Sequence, residues 1–160
     1  MRKLKLYLDT SVISYLVAID TPDKMKDTLR LWDAIKAKHY DVYVSAITIG
    51  EIQRCPEPKR TLLINYLAEI EHTVIEATEE IEVIAQCFID NKILTDNSRD
   101  DCRHIAYTIV SGCDVIVSWN FKHIVNYKTI RGVKLVSALS GYNEIAIYTP
   151  TILIEGNEES

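Results

Sequence analysis

KLKLYLDTSVIS, residues 3–14, is the stretch on which the reading of the fold turns. Leu4, Leu6, Tyr7 and Leu8 predict a buried strand that begins almost at the first residue. Asp9 stands where the strand stops, followed by Thr10, Ser11 and the apolar run Val12, Ile13, Tyr15 and Leu16. In an α/β sheet, ligands and chemistry collect outside the carboxyl ends of the strands. An acid placed there before a new helix is either a helix cap or a catalytic carboxylate, since Asp, Ser and Thr are all ordinary N-caps.

Outward from this stretch the chain alternates between the two periodicities. Residues 11–19 fit a short helix. Thr21 and Pro22 restart the chain as N-cap and first helical position, and Met25, Leu29, Trp32 and Ile35 make 22–38 an amphipathic helix. Val42 to Val44 form a second strand ending at Ser45, and Ala46 to Arg54 return to a helical pattern with Glu51 in the second turn. Pro56 and Pro58 break the chain before a helix marked by Leu62, Leu63, Tyr66, Leu67 and Ile70. Thr73 to Ala77 reads as the third strand, and Thr78 caps a helix carrying Ile81, Ile84, Ala85, Phe88 and Ile89. Residues 90–98 read as a loop. Ser98 to Val110 is a helix stopped by Gly112. Val115 to Val117 is the fourth strand, running into Ser118, Trp119 and Asn120. The segment 121–139 reads as short helical turns, and Ile145 to Tyr148 as the fifth strand before Pro150. Such alternation requires parallel pairing and crossover connections. The chain reads as one α/β domain over residues 1–152, with 153–160 as a polar C-terminal tail.

Composition narrows the function. A chain of 160 residues, 48% hydrophobic and 26% charged, is globular and long enough for a full core. No apolar run reaches the roughly 18 residues of a membrane span, and the passage from MRK straight into a strand predicts no signal peptide. Cys55, Cys87, Cys102 and Cys113 have no close paired spacing, which fits reduced thiols in a cytoplasmic protein. The net charge of −5 excludes a globally basic nucleic-acid footprint, so any nucleic acid must be held locally.

Three acids then stand out by position. Asp9 ends strand one, Glu51 lies in the helix leaving strand two, and Asp101 lies in the first turn of the helix leading into strand four. In a parallel sheet these places project over one edge. Each acid also has a plain structural reading: Asp9 as a cap, Glu51 as a solvated helix carboxylate, Asp101 as the end of a Ser98-x-x-Asp101 capping box. Asp100 is equally well placed for the helix dipole.

The segments LDTSVIS, SAITIGEIQR, DDCRHIAYTI and VIVSWNFKHI, in that order and spacing, resemble the four motifs of PIN-domain ribonucleases, most nearly the VapC-type toxins of bacterial toxin–antitoxin pairs. The resemblance runs from residue 4 to about 150. It implies a PIN-like α/β fold: a central parallel five-stranded sheet flanked by helices on both faces. It also implies Asp9, Glu51 and Asp101 as catalytic, metal-holding acids, Asp101 standing three residues before His104. The fourth motif usually places an acid or asparagine after a hydroxyl and one spacer, often with another acid just beyond. Asn120 fills the first of these places, which implies it as a fourth catalytic residue, and His123 fills the second, so no fourth carboxylate is present. The implied partners are an RNA substrate, a small antitoxin protein and a second copy in a homodimer, with no membrane.

The chemistry of such a site stands apart from the family. Two carboxylates ~5 Å apart repel by about 3 kcal/mol at an effective dielectric near 20. Three of them raise one another's pKa unless a cation intervenes. A hard divalent ion with oxygen ligands removes the conflict, so Mg²⁺ or Mn²⁺ is the consistent cofactor, and no His–Cys cluster competes for Zn²⁺. His104 reads as a packed or capping histidine. Arg54, Lys59, Arg60, Lys122, Lys128, Arg131 and Lys134 are candidates to grip phosphates, and Trp119 to stack on a base, against surface and core readings of the same residues. Two other functions stay open: a PIN-fold binding module without catalysis, and a phosphohydrolase of the haloacid-dehalogenase kind. The latter expects a second acid two residues after the first, where this chain has Ser11.

Overall fold

The strand of residues 3–8 becomes the centre of the sheet. A computed structural model describes residues 2–158. Its strands are β1 (Leu4–Leu8), β2 (Tyr40–Ser45), β3 (Thr73–Ile75), β4 (Val115–Val117) and β5 (Ala146–Tyr148), paired in the order β3-β2-β1-β4-β5 and parallel throughout. The α-helices are α1 (Thr10–Ser14), α2 (Pro22–Lys36), α3 (Ala46–Gln53), α4 (Lys59–Ala68), α5 (Glu79–Asp90), α6 (Arg99–Val110), α7 (Tyr127–Ser140) and α8 (Pro150–Glu158). The chain has the expected α/β, PIN-like class, with helices on both faces of a five-stranded parallel sheet.

Period-two alternation divides the interior into two cores. Leu6, Leu8, Val42, Val44, Val115 and Val117 face a core closed by α1, α2, α3, α4 and α8. Tyr7 and Ile116 face the other, closed by α5, α6 and α7. The strand order carries a functional consequence. From β1 the chain moves outward to β2 and β3, then crosses back to β4 and β5 on the other side of β1. A crevice therefore opens at the carboxyl ends of β1 and β4, the switch point at which such sheets bind ligands.

Several expectations are corrected. The segment 121–139 is not a series of short turns: α7 runs for 14 residues. Asn126 caps it by accepting a hydrogen bond from Thr129 N at 2.9 Å, and Gly141 ends it at φ 76°, a left-handed conformation that glycine adopts without a Cβ penalty. Its pattern is hard to read because Tyr127, Ile130, Leu135 and Leu139 remain exposed while Val133 and Val136 are buried. The helix expected over 11–19 is shorter, α1 followed by a 3-10 turn at Tyr15–Val17. Thr21 takes the expected N-cap position of α2 before Pro22, but its hydroxyl makes no capping bond and donates to Ala18 O instead.

Packing also continues past residue 152. Pro150 opens α8, and Leu153 and Ile154 are buried against the core that holds α2. The polar tail expected from 153 thus begins as a packed helix, because two adjacent apolar side chains have a core to enter; residues 159–160 lie outside the described chain. Truncation after residue 152 should lower the melting temperature, and Leu153→Ala alone should cost about 2 kcal/mol in denaturant unfolding. An unchanged midpoint would show this helix to be dispensable. Among the described residues, no helix is long and apolar enough to cross a membrane.

Candidate active site

Asp9 leaves β1 with its backbone N–H on Val117 O at 3.2 Å, so the sheet itself fixes the first acid beside the end of β4. Its side chain does not cap α1. Oδ1 accepts from the Ser11 hydroxyl at 2.5 Å and Oδ2 from the Ser118 hydroxyl at 2.6 Å. Each serine is held in turn: Ser11 Oγ accepts from Trp119 N and Ser118 Oγ from Asn120 N, both at 2.9 Å. Asp9 is 3% exposed. Burial pushes its carboxyl above the usual range, more than the charge of His104 and the two hydroxyls pull it down.

Glu51 projects from α3 toward the same edge. Its Oε1 accepts from Thr10 Oγ1 at 3.1 Å and from His104 Nε2 at 2.8 Å. Burial raises its pKa, but the hydrogen bond and charge of His104, with Thr10, outweigh this and hold Glu51 below the usual glutamate range. Asp101 begins α6 without help from Ser98, whose hydroxyl makes no capping bond and lies 3.4 Å from His123 Nδ1. Burial raises Asp101, His104 and His123 lower it, and the charges of Asp9 and Glu51 raise it further. Asp100 does not join them; it pairs with Arg103 on the surface at 2.8 Å.

His104 is packed, as its sequence position predicts, and it also contacts a candidate acid, Glu51. One turn after Asp101 on α6, it is 3% exposed, and its Nδ1 lies 2.6 Å from the Tyr7 hydroxyl. Tyr7 in turn lies 2.8 Å from Ser45 Oγ, at the end of β2. Burial lowers the His104 pKa, but the Glu51 hydrogen bond and the charges of Asp9, Glu51 and Asp101 reverse this and raise it. A protonated ring donates from both nitrogens, to Glu51 and to Tyr7. The i, i+3 spacing from Asp101, which puts both on one helix face, is the signal that could have found it.

Asn120 completes the site with its amide nitrogen. Nδ2 donates to Asp101 Oδ1 at 3.2 Å, while Oδ1 accepts from His123 N at 3.0 Å. Its carbonyl is thus engaged with the following loop and its donor faces the acid. Two chains of polar contacts meet at this edge: one runs from Asp9 through Ser118 and Asn120 to Asp101, the other from His104 through Glu51 to Thr10, beside Asp9, and between them Asp101 and His104 interact through charge alone. Trp119 is a core residue, 6% exposed, donating from Nε1 to Thr28 Oγ1 at 2.9 Å. Of the candidate phosphate grips, Lys59 donates to Ser14 Oγ at 2.6 Å, Arg60 pairs with Glu57, and Arg131 lies over the Tyr127 ring.

The donor set matches a hard divalent cation in kind. It is all carboxylate oxygen, and among the described residues neither Asp9 nor Asp101 has a Lys or Arg partner. Glu51 Oε2 and Asp101 Oδ2 accept no hydrogen bond from a described residue. Among the described residues, no three His, Cys, Asp or Glu groups already stand at the spacing of a metal cage. The fit is one of chemistry and charge.

Asn120 supplies a prediction. Asn120→Asp replaces a donor by a charge against Asp101, so it should lower the metal-free melting temperature and tighten Mn²⁺ binding. Asn120→Ala should cost about 1 kcal/mol of stability through the lost bond to His123 N. Mn²⁺ affinity unaltered by Asn120→Asp would place this residue outside the site.

A family model for the PIN domain matches residues 6–122. Among curated proteins, none matches the sequence. The fold is similar to that of a chain in VapBC2 from Rickettsia felis, solved bound to a DNA fragment from their promoter: TM-score 0.57 at 15% identity, over 91% of this chain and 98% of that one. It is similar as well to Mycobacterium tuberculosis VapC20, described as a Sarcin-Ricin loop cleaving toxin: TM-score 0.53 at 17% identity, over 88% of this chain and 98% of that one.

Proposed function

The chain belongs to the PIN-domain family, and from that premise we propose that it is a metal-dependent endoribonuclease, the toxin of a type II toxin–antitoxin pair. One observation carries the reading: three carboxylates from three separate elements converge at the switch point of the sheet, two of them held above their usual pKa range. Acids in that state have an unmet need for positive charge. Asp9, Glu51 and Asp101 would hold Mg²⁺ or Mn²⁺, which supplies charge stabilisation for phosphoryl oxygens and a water of lowered pKa.

The chain's own residues do the positioning. Ser11 and Ser118 clamp both oxygens of Asp9 and fix its plane. His104 and Thr10 hold one oxygen of Glu51, and the other accepts no hydrogen bond from a described residue. Asn120 orients Asp101. The RNA lies across the carboxyl edge with the scissile phosphate among the acids, and a small antitoxin and a second copy of the chain are the proposed partners in the cell.

Cleavage of a labelled oligoribonucleotide by chelator-treated protein, before and after Mg²⁺ or Mn²⁺ is returned, tests this reading. Cleavage that disappears and returns is expected. Its persistence in excess EDTA would overturn metal dependence. RNA binding without cleavage at any Mg²⁺ or Mn²⁺ concentration would favour a silent PIN-fold binding module, the reading to which the neutral amide at Asn120 lends support.

A further inference from the structure

Lys24 lies in the first turn of α2 with its ammonium over three aromatic rings: 5.0 Å from the centroid of Phe121, 5.6 Å from Trp119 and 5.7 Å from Tyr15. The rings support one another, Tyr15 tilted against Trp119 at 5.7 Å and Trp119 against Phe121 at 6.3 Å. Trp119 is buried, but Phe121 is 48% exposed. Among the described residues, the ammonium has no carboxylate partner.

This cluster is joined to the site by the shortest possible route. Trp119 N donates to the serine that clamps Asp9, and Phe121 directly follows the asparagine that touches Asp101. Three acids repel an approaching phosphate, and the net charge of −5 gives no general attraction. A cation fixed at the rim by ring quadrupoles offsets that repulsion locally, since a lysine over an aromatic face is attracted to it and keeps its N–H donors free for another partner. An exposed aromatic face beside it accepts any base by stacking.

We propose that Phe121 and Lys24 form a substrate subsite, in which a base of single-stranded RNA stacks on Phe121 and an adjacent phosphate meets the Lys24 ammonium. The inference rests on the ribonuclease reading and adds the residues that seat the strand beside the acids. Lys24 is a binding residue here, and Tyr15 and Trp119 position it.

The test uses the full chain carrying Asp9→Asn, so that RNA is bound without being cut, and a fluorescein-labelled single-stranded oligoribonucleotide read by anisotropy. Adding Phe121→Ala should weaken binding about tenfold, and Phe121→Tyr should restore it. Adding Lys24→Gln should weaken binding and flatten the slope of log K against log salt by about 0.7, the share of one phosphate contact on a single strand. In the cleaving chain, both substitutions should raise KM more than they lower kcat. A purely structural staple would lower the melting temperature and leave the salt slope alone, which would overturn the proposal. Affinities within twofold of the parent, from a chain whose wild type cuts the same oligonucleotide, overturn the subsite and leave the ribonuclease reading standing. A wild type that neither binds nor cuts RNA removes both. Unaltered RNA binding with loss of a co-purifying protein in Phe121→Ala would assign the patch to a protein contact and overturn the subsite.

Discussion

Asp9→Asn is expected to reduce RNA cleavage at least 10²-fold, in line with the loss of one charged group aimed at a reacting centre, while leaving the metal-free protein at least as stable as wild type. The two outcomes have one cause. Asp9 is buried with its carboxyl above the usual range, so its charge is a standing cost that only a cation repays. An amide of the same shape removes the charge. It also keeps its hydrogen bonds, because a serine hydroxyl can accept as well as donate and either Ser11 or Ser118 can reverse. If Asp9 were only a helix cap, the substitution would leave cleavage untouched. The absence of any capping bond from its side chain already argues against that role. Cleavage rate and melting temperature, measured on the same preparation with and without metal, check both halves.

His104→Ala is expected to have the largest effect on stability, about 2–3 kcal/mol by denaturant unfolding, together with a loss of cleavage. Breaking a buried ion pair by removing one partner costs several kcal/mol, and the figure is lowered here because Glu51 retains 32% exposure. The variant leaves a cavity beside Tyr7 and frees Glu51 to turn away from the site. Glu51→Gln should separate these effects. It keeps the shape and one hydrogen bond but removes the carboxylate charge that His104 Nε2 faces, so stability should fall less than in His104→Ala and cleavage should fall as far. Equal cleavage by both variants and wild type would remove the Tyr7–His104–Glu51 relay from the account.

The legible parts of this molecule were those that a periodic pattern can express. Alternation in LKLYL placed β1, and its end placed Asp9; the helices after β2 and before β4 placed Glu51 and Asp101 on the same edge. The sequence could not show what fills the space between them. Tyr7 reads as one more apolar strand residue, yet its hydroxyl reaches both Ser45 and His104, because alternation sends it to the opposite core from Leu6 and Leu8. His104 reads as a packed histidine, which it is, and its packing is also what orients Glu51. Asn120 was legible as a position but not as an orientation. Which end of the amide meets Asp101 is set by the turn that brings His123 N onto Oδ1. The Lys24 cluster joins Tyr15 and Lys24 to Trp119 and Phe121 far along the chain, a juxtaposition that no local spacing records.

If Asp9, Glu51 and Asp101 share one cation, calorimetric titration with Mn²⁺ reads it without any assumption about substrate. Saturable binding by the wild-type chain is expected, weakened at least about tenfold, or ~1.4 kcal/mol, by Asp9→Asn and by Asp101→Asn, with both variants folded. Identical isotherms for the wild type and the two variants would contradict it.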